Sequence, residues 1–255
     1  MSSTPPSATP DINLIEVSDL AESLAAGWRD FKRAPMLGFA FSAVYVLGGW
    51  LILWAMTTKG QVWWTLPAGA GFPILGPFIA CGFYEISRRL EAGEPLVASE
   101  IFGVVFRQKD RQIPAMAAVI VVYFLFWNFL SHMIFALFLG HATMTNVSTS
   151  LAVFLTPEGL AMLAFGTVVG AVFATLLFSL TVVSLPMLMD REVDFVTAML
   201  TSFALVRESP RVMLGWGALI GVCLFLGMLP GFLGLFLVLP LFGHASWHLY
   251  RRAIT

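Results

Sequence analysis

Two long apolar runs near the end of the sequence constrain its fold more than any other feature. Between Arg211 and Arg251 there is no Lys, Arg, Asp or Glu, and Pro230-Gly231 divides this stretch into two runs. Each run is long enough to cross a bilayer. Basic residues at both outer ends indicate a hairpin that enters and leaves the membrane on one side. Further apolar runs with basic residues at their ends occur earlier in the sequence. The sequence therefore predicts a polytopic membrane protein.

The composition supports the same class. The chain of 255 residues is 58% hydrophobic and 11% charged, with a mean hydropathy of +0.86, whereas a soluble protein carries about 25% charged residues. A formal net charge of -1 provides no basic surface for nucleic acid, so no nucleic-acid partner is expected. Cys81 and Cys223 lie within apolar runs and are interpreted as small packing residues.

The hydropathy pattern predicts an all-α fold with six transmembrane helices arranged as three hairpins. Residues 1–10 are predicted to form a disordered tail, and residues 11–255 are predicted to form a single membrane domain. The predicted spans cover residues 35–56, 64–87, 114–140, 159–189, 212–228 and 232–250. The second span contains Pro67, Pro73 and Pro77 with several glycines, so a kinked or partly broken helix is predicted there. On the fourth, Gly166, Gly170 and Ala174 form a stripe of small residues suited to close helix contact.

Three segments are amphipathic but too polar to span, and we expect them to lie as helices at the cytoplasmic interface. They cover residues 11–33, 91–111 and 190–211. In the first, Asp19 followed by Glu22 resembles a capping-box start, and Trp28 should lie at headgroup level, with Arg29, Lys32 and Arg33 facing phosphates. In the third, Asp194 is the predicted N-cap.

The basic residues predict the topology. With six spans, thirteen of the fourteen Lys and Arg residues fall on one side, and only Lys59 falls on the other. The positive-inside rule then places both termini in the cytoplasm, in a multi-pass protein of the inner (plasma) membrane. The predicted interfacial anchors are Trp28, Arg88, Arg89, Arg251 and Arg252.

The sequence also suggests an internal repeat, with units at residues 11–92, 93–191 and 192–255. Pro77 and Pro240 each lie eleven residues before an Arg-Arg pair. Each unit would comprise an interfacial helix and two spans, and all three units would enter from the cytoplasm. The alternative is that Pro, Gly and boundary Arg residues recur in any membrane protein.

Three polar residues within predicted spans are the candidate site residues: Glu85, Asn128 and His132. Glu85 lies one turn before Arg88 and Arg89, so it either pairs with them or serves as a proton or cation relay. Asn128 and His132 lie one turn apart. They either line a polar seam or simply hydrogen-bond neighbouring helices. The seam would include Thr167, Thr175 and Ser179.

The sequence offers no catalytic or cofactor signature. His244 and His248 lie near the cytoplasmic end of the last span, whereas His132 and His141 lie towards the opposite face. Haem or metal ligation requires ligands that converge at one depth, so no metal and no cofactor is expected. The common hydrolase, phosphate-binding and thiol-redox motifs are absent from the sequence, and the protein is therefore not expected to be an enzyme.

Three segments carry a resemblance to a family of bacterial integral membrane proteins of unknown function. They are GWRDFKRAP (27–35), GPFIACGFYEISRRLEAGE (76–94) and SLPMLMDREVDFVTAM (184–199). The family is of alphaproteobacterial type, and the resemblance implies six spans. Some relatives carry automatic labels linking them to cytochrome c oxidase subunit I. The four histidines of this chain are too few for the haems and copper of such a core.

These observations favour a non-enzymatic accessory, scaffold or assembly factor. The expected partners are the lipid bilayer and, under this interpretation, another membrane complex. The alternative is a transporter of small solutes or ions, which would use Glu85 and the Pro/Gly-rich second span.

Overall fold

The computed structural model describes residues 10–59, 65–107, 112–140 and 154–255, and these fold as ten helices with no β-strand. The predicted tail at residues 1–9 and most of the loop that contains His141 lie outside the described residues. The helices are α1 Val17–Arg33, α2 Pro35–Lys59, α3 Thr65–Ala92, α4 Ala98–Arg107, α5 Ile113–Leu139, α6 Pro157–Thr181, α7 Ser184–Asp190, α8 Phe195–Glu208, α9 Pro210–Met228 and α10 Leu235–Ala253. The predicted all-α class is confirmed.

Three helical segments in the described part of the chain are long and apolar enough to cross a membrane. They are α5, α6 together with α7, and α9. A fourth candidate is the bent pair formed by α1 and the first part of α2. The C-terminal half of α10 carries His244, His248, Arg251 and Arg252, which lower its apolar content. Three or four of the six predicted spans are therefore supported.

The helix boundaries follow local sequence signals. Proline stands in the first turn of α2, α5, α6 and α9, where its missing N–H costs no helical hydrogen bond. Asp194 caps α8 as predicted, because its carboxylate accepts the Thr197 N–H at 2.9 Å. The predicted capping box at Asp19 and Glu22 is wrong by one turn. The Glu16 N–H donates to the Asp19 carboxylate at 2.9 Å, and α1 begins at Val17.

The second predicted span shows no break, while its predicted kink stays a prediction, and the fourth predicted span differs from expectation. The structure gives α3 as one helix from Thr65 to Ala92, without a break, and the side chains of residues 65–78 lie outside the described set. The fourth span is divided at Val182-Val183 into α6 and α7. Pro186 has no N–H for the Val182 carbonyl, which favours the break at this point. At the same point, the Val183 N–H donates to Ser202 Oγ on α8 at 3.3 Å.

Helix α1 packs closely on α10. It is bent by 100° from α2. A Cβ added at Gly27 would lie 2.6 Å from the Ala245 backbone nitrogen, so only glycine permits this approach. The chain before α1 follows α10 to its end, where the Asn13 N–H donates to the Ala253 carbonyl at 2.9 Å. Both ends of the described chain therefore meet at one end of the bundle.

The turn between α9 and α10 lies against α2. Gly231 has a φ of +62°, the left-handed conformation that glycine tolerates, as the predicted Pro230-Gly231 turn requires. The Trp50 indole N–H donates to the Gly231 carbonyl at 2.7 Å. Pro240, further along α10, contacts the site of Gly38 in α2. Helices α2 and α10 therefore pack against each other along much of their length.

Candidate functional site

Glu85 is the centre of a buried ion-pair cluster near the end of α3. Its side chain is only 5% exposed, and its carboxylate lies 2.9 Å from Arg88 Nε and 2.7 Å from Arg89 Nε. The spacing of three and four residues on one helix places both guanidinium groups over this carboxylate. The predicted pairing of Glu85 is confirmed. A buried charge requires such partners, because leaving it unpaired in an apolar setting would be costly.

The same two arginines fix the connection between α3 and α4. Arg88 lies 3.0 Å from Glu94, and Arg89 lies 2.8 Å from Glu100. Arg89 also donates to the Pro95 carbonyl at 3.0 Å. Each guanidinium group therefore serves two carboxylates, and the cluster is a closed network in which every charge has an opposite charge beside it.

A second set of contacts joins α3 and α7 to α10. The Trp247 indole N–H donates to Glu91 at 2.9 Å. The Tyr250 hydroxyl donates to Asp190 at 2.7 Å and accepts from Arg191 Nε at 3.2 Å. Both aromatic rings are buried. Segments that are distant in the sequence thus share one polar layer at the end of the bundle.

The two histidines of α10 bind different neighbours. Nδ1 of His244 lies 2.9 Å from Ser87 Oγ on α3, and Nε2 of His248 lies 2.7 Å from the Asp30 carboxylate on α1. His244 is fully buried, and its Nε2 has no hydrogen-bond partner among the described residues. The i, i+4 spacing of the histidines could be read from the sequence. Their partners could not, because they lie more than 150 residues away in the chain.

The structure does not bring Asn128 and His132 into this layer. His132 is exposed on α5, and its Nδ1 donates to the Asn128 carbonyl of its own helix at 2.7 Å. Ser179 Oγ likewise donates to the Thr175 carbonyl one turn before it on α6. The His132 imidazole and the Ser179 hydroxyl therefore bond to carbonyls of their own helices, and the polar seam stays a prediction.

Three grooves open beside α6, and their walls are largely apolar. The largest, about 650 Å³, lies between α6 and α9, and the other two, about 280 and 430 Å³, lie between α6 and α5. Gly170 lines all three. On the α5 side, a Cβ added at Gly170 would lie 3.2 Å from the Trp127 ring. This is the close contact expected of the small-residue stripe. Neither Glu85 nor His132 lines any of these grooves.

The side chains that could ligate a metal do not converge in the part of the chain that the structure describes. No group of three or more His, Cys, Asp or Glu residues there has the arrangement of a metal site. Cys81 and Cys223 carry free thiols. Chemically, the polar layer can hold helices together through paired charges and buried hydrogen bonds.

The chain is similar to a known protein family over its central part. Residues 65–190 match the sequence profile of a family described as "Predicted integral membrane protein (DUF2189)". No curated protein and no solved structure gives a significant match. The matched segment begins with α3, which contains Glu85, and ends at Asp190 on α7. The chain is therefore similar, over these residues, to a family of predicted integral membrane proteins whose description names no activity.

Proposed function

We propose that this protein is a non-enzymatic accessory, scaffold or assembly factor of the bacterial inner membrane. The observation that carries the proposal is the contrast between a closed polar layer and open apolar grooves. Glu85 is neutralised by two arginines, and each of those arginines binds a second carboxylate. A relay carboxylate would instead need a path to water or to an ion.

The proposed membrane arrangement has six spans and both termini in the cytoplasm. In this arrangement α2, α3 and α10 cross the membrane together with α5, α6–α7 and α9. Support comes from the contacts of α10 with α2, where Trp50 lies at the loop end and Gly38 lies near Pro240. Further support comes from the meeting of the two ends of the described chain beside Arg251 and Arg252.

The order of helices also supports three repeated units. Helices α1, α4 and α8 are each followed by a helix with proline in its first turn and then by another long helix. Tyr84 and Trp247, which hold matching positions before the two Arg-Arg pairs, are both buried. Helix α7 has no counterpart among the described residues of the other two units.

A scaffold needs a lateral surface for other membrane proteins, and the groove between α6 and α9 has suitable walls. Small residues on both helices permit close approach of a further helix: Gly170, Ala171, Ala174, Gly217, Ala218 and Gly221. A Cβ at Gly221 would meet no atom within 4 Å. This space can therefore admit a side chain from a neighbouring membrane helix.

The test is recovery of co-purifying proteins from native membranes in a mild detergent, identified by mass spectrometry. We expect one membrane complex to be recovered in stoichiometric amount with the wild-type protein. Gly221→Leu should fill the groove and reduce that recovery. Gly215→Leu is the matched control, because Gly215 is exposed on the same helix, its Cβ also meets nothing within 4 Å, and it does not line the groove.

One result would contradict the proposed role, and another would exclude the groove as its contact surface. A wild-type protein that purifies alone would favour the transporter alternative, which rests on Glu85 and on the Pro/Gly-rich first half of α3. Equal recovery with both leucine variants would exclude the groove as the contact surface while leaving the scaffold role in place.

A further inference from the structure

The acidic residues of α1 are directed towards the rest of the molecule. Asp30 is buried and lies 2.7 Å from His248. Glu22 lies 2.7 Å from Arg252, and Asp19 lies 3.4 Å from the same guanidinium group. These three carboxylates on α1 therefore already have cationic or imidazole partners on α10.

The basic residues of α1 have no such partners. Arg29, Lys32 and Arg33 are exposed in the last turns of the helix. No acidic side chain of the described chain forms an ion pair with any of them. The Lys32 ammonium lies 5.9 Å above the centre of the Trp28 ring. The result is an uncompensated positive surface with an aromatic ring inside it.

Exposed apolar side chains continue this surface onto α2. Trp28 is 41% exposed, and Met36, two residues into α2, is 75% exposed. Tryptophan favours the headgroup region of a bilayer, because one edge of its ring is polar and the rest is apolar. Since α1 lies at 100° to α2, a bilayer crossed by α2 would have α1 along its surface.

We propose that the C-terminal end of α1 binds the headgroups of anionic phospholipids in the cytoplasmic leaflet. The binding surface comprises Trp28, Arg29, Lys32 and Arg33. The guanidinium groups can hold phosphate oxygens through paired hydrogen bonds, and the indole ring rests at the level of the glycerol backbone. The inference depends on the proposed membrane crossing of α2, and it is independent of the scaffold role.

The experiment uses the full-length protein in a neutral detergent and counts bound lipid by native mass spectrometry. Phosphatidylglycerol and phosphatidylcholine with identical acyl chains are compared. We expect tighter binding of phosphatidylglycerol by the wild type. Arg29→Gln/Arg33→Gln should weaken that binding by roughly 30-fold, since each basic residue near an anionic membrane contributes about a fivefold factor.

The matched control is Arg207→Gln/Arg211→Gln. These two arginines have the same spacing as Arg29 and Arg33, and both are exposed. Arg207 lies in the last turn of another amphipathic helix, α8, and Arg211 lies in the first turn of α9. Equal weakening by the two double variants would mean general charge attraction and would overturn the proposal. So would equal binding of the two lipids by the wild type.

A third arm separates a lipid site from a site for soluble anions. Inorganic phosphate at millimolar concentration should leave phosphatidylglycerol binding to the wild type nearly unchanged. Complete displacement by phosphate would assign the surface to soluble phosphate compounds and would overturn the lipid proposal. Thermal unfolding of each variant should match the wild type, because all four arginines lack ion-pair partners in the described structure.

Discussion

Two sets of helices differ in the kind of contact that their side chains make. The first set is α1, α3 and α10, and the second is α5, α6 and α9. In the first set, buried side chains form ion pairs and interhelical hydrogen bonds, such as Glu85–Arg89 and Ser87–His244. In the second, large apolar side chains are exposed and grooves remain between the helices. Polar contacts therefore hold the first set together, whereas the second set presents apolar surface of the kind that a lipid bilayer covers.

Removing the central charge of the polar layer should have the largest effect. Glu85→Gln leaves the buried Arg89 with only the exposed Glu100 as its acidic partner. We expect a loss of about 3 kcal/mol in the free energy of unfolding, because breaking a buried ion pair leaves an uncompensated charge. Reversible unfolding in detergent micelles, followed by circular dichroism, measures this loss.

The control for Glu85 is Glu94→Gln. Glu94 pairs with Arg88, but its side chain is 42% exposed, so its loss should cost less than about 1 kcal/mol. Equal stability of both variants would show that burial of the pair does not specify the first set of helices. A normally stable Glu85→Gln protein that has lost its biological activity would instead favour the relay interpretation.

A glycine-to-alanine change should lower the free energy of unfolding in the first set of helices and raise it in the second. Gly27→Ala would bring a Cβ to 2.6 Å from the backbone of α10, so the helices must move apart at a cost of about 2 kcal/mol. Gly221→Ala in α9 meets no atom within 4 Å. It should stabilise the protein by about 0.5 kcal/mol through helix propensity. Thermal unfolding of the two variants, measured in parallel, tests this contrast. A change of the unfolding temperature in the same direction for both variants would contradict it.

The N-cap of α8 offers a smaller, pH-dependent effect. The hydroxyl and the backbone N–H of Thr197 donate to Asp194 and hold the pKa of that carboxyl below its ordinary value. Its stabilising contribution is therefore complete above the ordinary aspartate pKa, and it is lost as the pH falls through the lowered folded pKa. Asp194→Ala should cost about 1 kcal/mol at neutral pH.

A titration of unfolding free energy checks the Asp194 prediction. The difference between wild type and Asp194→Ala should be constant from pH 5 to pH 7, and it should shrink below the ordinary aspartate pKa of about 3.9. Asp194→Asn provides the control, since asparagine can still cap the helix without titrating. A difference that persists unchanged in acid would mean that the ionised cap contributes nothing.

The sequence predicted local features well because they depend on near neighbours. The proline starts, the Asp194 cap, the Pro230-Gly231 turn and the pairing of Glu85 with arginines one turn away all follow from short-range rules. The division of the fourth span escaped prediction because a hydropathy pattern does not register a missing backbone donor. Pro186 was visible in the sequence, but the hydrogen bond from the Val183 N–H to Ser202 joins residues of different helices and has no local signal.

The polar layer could not be predicted from spacing alone. Its hydrogen bonds join segments that lie far apart in the chain, as in Trp247 with Glu91 and His248 with Asp30. No spacing in the sequence relates the two members of each pair. By contrast, Asn128 and His132 were singled out because polar residues are rare in apolar spans. The structure leaves His132 exposed and bonded to its own helix. The search for polar residues within apolar spans therefore identified Glu85, which belongs to the polar layer, and two residues that lie outside it.

The smallest effect is expected at His132, and it tests whether the second set of helices needs this polar group. His132→Leu removes an exposed imidazole whose bond is to the Asn128 carbonyl of its own helix. The free energy of unfolding should change by less than about 0.5 kcal/mol, because no other helix loses a hydrogen bond. The control is Leu137→His, which places an imidazole at another exposed position of α5. If His132→Leu unfolds like the wild type but loses its co-purifying proteins, the polar group belongs to a contact surface, and apolar grooves alone cannot account for recognition.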